Sequence, residues 1–180
     1  MSRKDEQSPV TVPPMRIFGD PVLRERAREV ERFDDPLAKL AEDLLLAMRE
    51  YVGVGVAGNQ IGALSRIFVY DDGTGPRWLV NPEIVEQTGE QELDEGCLSI
   101  PGLYFPVKRS MHVVAKGYDL KGEPVTVEGE ELLARILQHE TDHLDGMLFA
   151  DRLSSKHRRE MMKQMRERDL GAEAPRGQTL

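Results

Sequence analysis

The sequence predicts an α+β fold: small antiparallel or mixed β-sheets packed around a central helix, with one helix towards the N-terminus and another towards the C-terminus. Three observations carry this prediction. Residues rich in β-branched and aromatic side chains gather in the middle of the chain, at 66–71, 77–85 and 107–127. Apolar residues recur at three- and four-residue spacing over 37–48 and again over 132–144. Helical stretches stand before, between and after the strand cluster without alternating with it, which argues against a series of βαβ units.

Taken in order, residues 1–14 are polar, carry Pro9, Pro13 and Pro14, and show no helix or strand period, so a loosely held arm is expected. Regular structure is expected from Ile17. Asp34-Asp35-Pro36 offers a carboxylate cap and a proline at a helix start, and Leu37, Leu40, Ala41, Leu44, Leu45 and Met48 then form one stripe ending near Tyr51. Strands follow at 66–71 and 77–85 across a turn containing Asp72-Gly73-Thr74-Gly75-Pro76, and at 107–119 and 123–127 across Leu120-Lys121-Gly122. A second amphipathic helix opens after Gly129. Glu130 and Glu131 suit its positive end, Gly146 suits its stop, and Leu132, Leu133, Ile136, Leu137 and Leu144 form its apolar face. Ser154 or Ser155 caps a last helix to about Asp169. The expected organisation is one domain over 1–180, with a core at about 17–153, a basic helix at 154–169 and a frayed tail at 171–180.

Composition excludes several classes. The chain has 180 residues, of which 39% are hydrophobic and 31% charged, enough apolar material for a core. The longest apolar run, Leu44–Met48, is far short of the roughly 20 residues of a spanning helix. Charges occupy the first ten residues where a signal peptide would be apolar, and one cysteine excludes an internal disulfide, so a cytoplasmic protein without a membrane partner is expected. The net charge of −8 argues against a surface built for DNA. Yet Arg152–Arg168 holds seven Lys and Arg against Glu160 and Glu167.

The chemistry concentrates at His139-Glu140-Thr141-Asp142-His143. Residues four apart share a helix face, so His139 and His143 can grip one ion, while Glu140, about 100° round the helix, reaches a water beside it as a general base. Two solvated histidines on a surface helix remain the alternative. A catalytic divalent site needs a third protein ligand. Cys97, in Glu95-Gly96-Cys97-Leu98-Ser99, is the candidate, with a small buried hydrophobe or a Cys–His nucleophilic pair as the other readings. A thiolate ligand admits iron(II) as well as zinc. Gly53-Val54-Gly55-Val56-Ala57-Gly58 matches a dinucleotide fingerprint in letters only, because a helix precedes it and no crossover helix fits before residue 66. It reads instead as an extended segment that approaches a ligand closely, with Gln60 presenting an amide donor.

Together, Gly53-Val-Gly-Val-Ala-Gly-Asn-Gln60, Glu95-Gly-Cys-Leu-Ser99 and Gln138-His-Glu-Thr-Asp-His-Leu144 resemble, in that order, the three motifs of the peptide deformylases. The resemblance runs from about Ile17 to Leu153. It implies a metal-dependent hydrolase that removes the formyl group from the initiator methionine of newly made polypeptides and releases formate. It implies Cys97, His139 and His143 as ligands to one divalent ion, usually Fe2+ in the cell, with Zn2+ or Ni2+ often found after purification. It assigns Glu140, Gln60 and the Leu98 backbone N–H to catalysis. It places Val54, Gly55, Glu95, Leu98 and Ile136 around the substrate, a formyl-Met nascent peptide. Asp142 and Arg109 either support this site or form an ordinary surface ion pair. Gly58 departs from the family's usual alanine, and the expectation is a loosened segment. Two readings of residues 152–168 stand side by side: docking on the ribosome, or Met161, Met162 and Met165 packing on the body. A zinc peptidase and a non-catalytic binding module are the rivals.

Overall fold

Asp34 begins the first helix as its spacing predicts: the carboxylate accepts the Leu37 N–H at 3.4 Å, and Pro36 stands in the first turn of α1 (Asp35–Glu50). The computed structural model describes residues 11–171, so residues 1–10 of the expected arm and 172–180 of the expected tail lie outside the described residues. After α1 come β1 (Gly55–Ala57), β2 (Ile67–Tyr70), β3 (Arg77–Thr88), β4 (Gln91–Cys97), β5 (Ile100–Arg109), β6 (His112–Tyr118), β7 (Pro124–Glu130), α2 (Glu131–Leu144) and α3 (Ser155–Gly171). Among the described residues no helix is long and apolar enough to cross a membrane.

Five strands form one antiparallel sheet in the order β1-β2-β3-β6-β7, and β4 pairs with β5 in a separate ribbon. Leu37, Ala41, Leu44, Ala47 and Met48 of α1 pack with Val56, Ile67, Val69 and Val80 on one side of the sheet. Ala134, Ile136, Leu137 and Leu144 of α2 pack with Ala57, Phe68, Tyr70, Leu79, Val113 and Ala115 on the other. From Ala134 to Leu144 every residue of α2 is buried, because the sheet covers one side and the β4–β5 ribbon approaches the other. The histidine-bearing helix is therefore central, as the sequence predicts.

Three expectations change. The strand expected over 107–119 is two strands, β5 and β6, interrupted at Ser110 and Met111. β4 was not foreseen: Glu92, Leu93 and Asp94 are all exposed, so its sequence lacks the alternation that marks a half-buried strand. Leu132, assigned to the apolar face of α2, is 42% exposed, while Leu133 beside it packs against the core. In α3, Met161 is fully buried and Met165 packs beside it on a cluster with Leu103, Phe105, Phe149 and Leu153. Two of the three methionines thus serve packing, while Met162 faces outward.

Candidate active site

Helical spacing puts His139 and His143 on one face of α2, and the β4–β5 turn brings Cys97 to them. Their donor atoms all lie within 4.8 Å of one another, and all three side chains are buried. His143 Nε2 is 3.1 Å from His139 Nε2 and 3.2 Å from Cys97 Sγ. A tetrahedral ion with ordinary metal–nitrogen and metal–sulfur bonds separates such ligand atoms by roughly 3.3–3.6 Å, so the donors fit one divalent ion with a small outward shift. Sulfur accepts the Ser99 N–H at 3.4 Å and approaches the Gln60 Nε2 at 3.6 Å.

Behind the ligands lies a buried ionic chain. His139 Nδ1 faces Glu95 Oε1 at 2.6 Å, so an Nδ1–H donated there turns Nε2 towards the centre as the nitrogen a metal would take. Glu95 also accepts two bonds from Arg109, at 2.6 and 3.1 Å, and one from Arg135 at 3.2 Å. Arg109 reaches on to Asp142 at 2.6 Å, and Asp142 is gripped through both oxygens by Arg152. Burial alone would raise the Glu95 carboxyl, but His139 and Arg109 outweigh it and hold it far below the usual carboxylate range. His143 is held well below the ordinary imidazole value by burial first and then by positive charge on His139 and Arg109, whereas Glu95 and Cys97 outweigh burial at His139 and hold it well above that value.

Glu140 sits across the pocket with Oε2 buried and without a hydrogen-bond partner in the protein. Burial pushes it up to about 7. Its seat depends on Gly55, since a Cβ there would land on the Glu140 carboxylate. Gln60 is fixed by two contacts: Oε1 accepts the Ala57 N–H at 2.9 Å, and Nε2 donates to Ser99 Oγ at 3.2 Å. The first bond settles which end of the amide is the donor.

One pocket is lined by Val54, Gly55, Gln60, Cys97, Leu98, Ile136, His139 and Glu140, so nearly all the residues singled out from the sequence converge. His143 lies just behind. Glu95 differs from expectation: its side chain is 1% exposed and wholly engaged with His139, Arg109 and Arg135, so it supports the ligands instead of walling the pocket. The Arg109–Asp142 contact is buried and belongs to the same network, not to the surface. Gly58 is not loosened, since the carbonyls of Ser65 and Ala63 would stand 2.6 and 2.8 Å from a Cβ there. Sequence reasoning missed Ser99, Arg135 and Arg152. Arg135 left one signal, a cation inside the apolar run of α2, which demands a buried anion.

Comparison with known proteins agrees with this geometry. Residues 12–159 match the polypeptide deformylase family. A peptide deformylase of Acidothermus cellulolyticus is 48% identical over 170 residues, covering 94% of each chain. The crystal structure of a peptide deformylase from Legionella pneumophila superposes with a TM-score of 0.84 at 40% identity, covering 92% of this chain and all of that one. One from Synechococcus elongatus, in complex with actinonin, gives 0.81 at 36% identity, covering 87% of this chain and 90% of that one. With sequence, architecture and the Cys/His/His cluster in accord, the chain belongs to the polypeptide deformylase family.

Proposed function

We propose that Cys97, His139 and His143 hold one divalent ion, beside which this chain removes the N-formyl group from the initiator methionine of new polypeptides. The observation that carries the reading is the meeting of one thiol and two imidazole donors with a buried, unpartnered Glu140 oxygen beside them. A divalent ion there supplies Lewis acidity, polarising the formyl carbonyl and lowering the pKa of water. Glu140 takes a proton from the attacking water and returns it to the leaving nitrogen. The carbon–nitrogen bond breaks, formate departs with the oxygen of that water, and the peptide leaves with a free amine. Gln60 Nε2, oriented by Ala57 and Ser99, and the Leu98 N–H donate to the oxyanion that develops. Ile136, fully buried against the pocket, walls the methionine side chain, while Val54 and Gly55 border the substrate backbone. Glu95, Arg109 and Asp142 hold His139 in the required tautomer.

A sulfur ligand beside two imidazoles suits Fe2+ in the cell and also takes Zn2+ or Ni2+. The substrate is made on ribosomes, which supports a cytoplasmic setting. It also supports docking of the basic 152–168 segment near the nascent chain. Arg152 and Arg168 are tied into the protein and Arg158 pairs with Asp151 at 3.7 Å, whereas Lys156, Arg159, Lys163 and Arg166 line an outward-facing surface beside Arg158, with Lys163 pairing only with Glu167 of its own helix. Docking would use those four, and changing them to Gln would abolish salt-sensitive ribosome binding; unchanged binding excludes the role.

Formate release from formyl-Met-Ala-Ser, measured on anaerobically prepared protein of known metal content, tests the function. Deformylation with no cleavage of unformylated Met-Ala-Ser is expected. Cleavage of the peptide bond would favour a peptidase, and no reaction at full metal occupancy would favour a binding module.

A further inference from the structure

The two donors assigned to the oxyanion come from separate parts of the fold. Gln60 stands on a single helical turn, Gly58–Ile61, that follows β1 of the five-stranded sheet, while Leu98 lies in the turn of the β4–β5 ribbon. Among the described residues no strand pairing joins the ribbon to that sheet. Donors on two bodies meet one oxygen only if something fixes one body against the other, because a hydrogen bond weakens steeply with misalignment.

The segment ahead of α1 spans that joint. Arg16 N–H donates to the Gln60 carbonyl at 2.7 Å, and Phe18 N–H, two residues on, donates to the Ser99 carbonyl at 2.8 Å. One stretch of backbone thus holds Gln60 on one side and Ser99, the neighbour of Leu98, on the other. Side chains anchor both ends: Met15 packs on the cluster formed by α1 and the sheet, and Phe18 on the cluster that contains Cys97, Leu103 and Phe105 of the ribbon. Met15 N–H also donates to the Tyr51 hydroxyl at 3.2 Å. Further along, the turn that bears Gln60 grips the same segment again, where Asn59 Nδ2 donates to the Glu25 carbonyl at 2.6 Å. Ile17, between the two bonded residues, is 46% exposed, so Met15–Phe18 is a surface strap held by its backbone and its two ends.

We propose that Met15–Phe18 is a positioning segment for deformylation, holding Gln60 Nε2 and the Leu98 N–H at the separation that lets both reach one developing oxyanion. The proposal rests on the deformylase reading and adds residues that stand outside the pocket lining. One side-chain bond crosses the same joint, from Gln60 Nε2 to Ser99 Oγ at 3.2 Å, beside Cys97 Sγ at 3.6 Å. It lies at the far end of the hydrogen-bond range, so it follows the fit of the two parts, and the shorter main-chain bonds of the strap enforce that fit.

The test measures kcat, KM and bound metal with formyl-Met-Ala-Ser for Arg16→Pro, which has no N–H to give Gln60, and for Phe18→Ala, which loses the anchor on the ribbon. Each substitution is made in the parent and in the Gln60→Ala background. In the parent, kcat should fall about 10–100-fold, the effect of roughly 1 Å of misplacement, at unchanged KM and metal content. The Gln60→Ala background, itself slowed about 10²–10³-fold, should lose less than about twofold more, since the donor being positioned is gone. Phe18→Leu should restore most of the kcat lost in Phe18→Ala. Should Arg16→Pro fail to fold, Phe18→Ala makes the same comparison. Equal losses in both backgrounds, a loss that tracks bound metal, or a kcat unchanged by either substitution overturns the positioning role and leaves deformylation standing. Failure of the metal-loaded parent to deformylate overturns both.

Discussion

Gly58 shows how one residue can mislead when read by its type alone. Glycine in place of the family's usual alanine suggests slack, yet a Cβ there would meet two backbone carbonyls, of Ser65 and Ala63, that have no side-chain freedom with which to yield. Its own carbonyl accepts the Ala63 N–H at 2.9 Å, which closes the turn bearing Gln60. Gly58→Ala should therefore destabilise the protein by about 1–3 kcal/mol, as an overpacked core position does, although it restores the family's residue. Chemical denaturation measures this directly. Equal or greater stability would mean that the turn can shift, and that the close approach is incidental.

Among the elements, α2, β4 and β5 are locked together by buried charge. Arg109 of β5 spans Glu95 of β4 and Asp142 of α2 with almost no exposure. A buried pair of this kind adds little net stability when intact, but breaking it strands charge in a dry interior at about 3–5 kcal/mol. Arg109→Met is expected to lose stability of that order and also to weaken metal retention, because Glu95 then orients His139 less firmly. Competition with a chelator at fixed metal reads the second effect, typically about 10–100-fold in affinity. Loss of stability with unaltered metal affinity would confine Arg109 to a structural role.

Some of these elements could be read from the sequence and others could not. The boundaries of α1 followed from Asp34, Pro36 and the leucine stripe, and the ligand pair followed from the four-residue spacing of His139 and His143. Cys97 had no local signal beyond its glycine neighbour: the need for a third ligand made it the candidate with other readings open, and the joint resemblance of three motifs chose among them. β4 stayed hidden because its exposed acids and Leu93 follow no period. The ionic chain stayed hidden because its members come from β4, β5, α2 and the segment before α3, and no spacing within one element encodes contacts between elements.

For the whole molecule, the candidate metal centre joins parts distant in sequence: Cys97 from the β4–β5 ribbon and two histidines from the helix under the five-stranded sheet. An ion that binds this arrangement and not the unfolded chain stabilises it by mass action, about 2.7 kcal/mol at a hundredfold excess over Kd. Removing the metal with a chelator should lower the melting temperature by about 5–10 °C, and restoring Fe2+, Zn2+ or Ni2+ should recover it. A melting temperature indifferent to metal would separate folding from the centre.

The central claim is that a buried carboxylate beside a Cys/His/His centre carries the proton in deformylation. The most direct test is formate release from formyl-Met-Ala-Ser by the parent and by Glu140→Ala, each assayed for bound metal. The account predicts about one ion per chain in both, with turnover in the parent and a loss of at least 10²-fold in the variant. Equal turnover by the two proteins at equal metal content would contradict it.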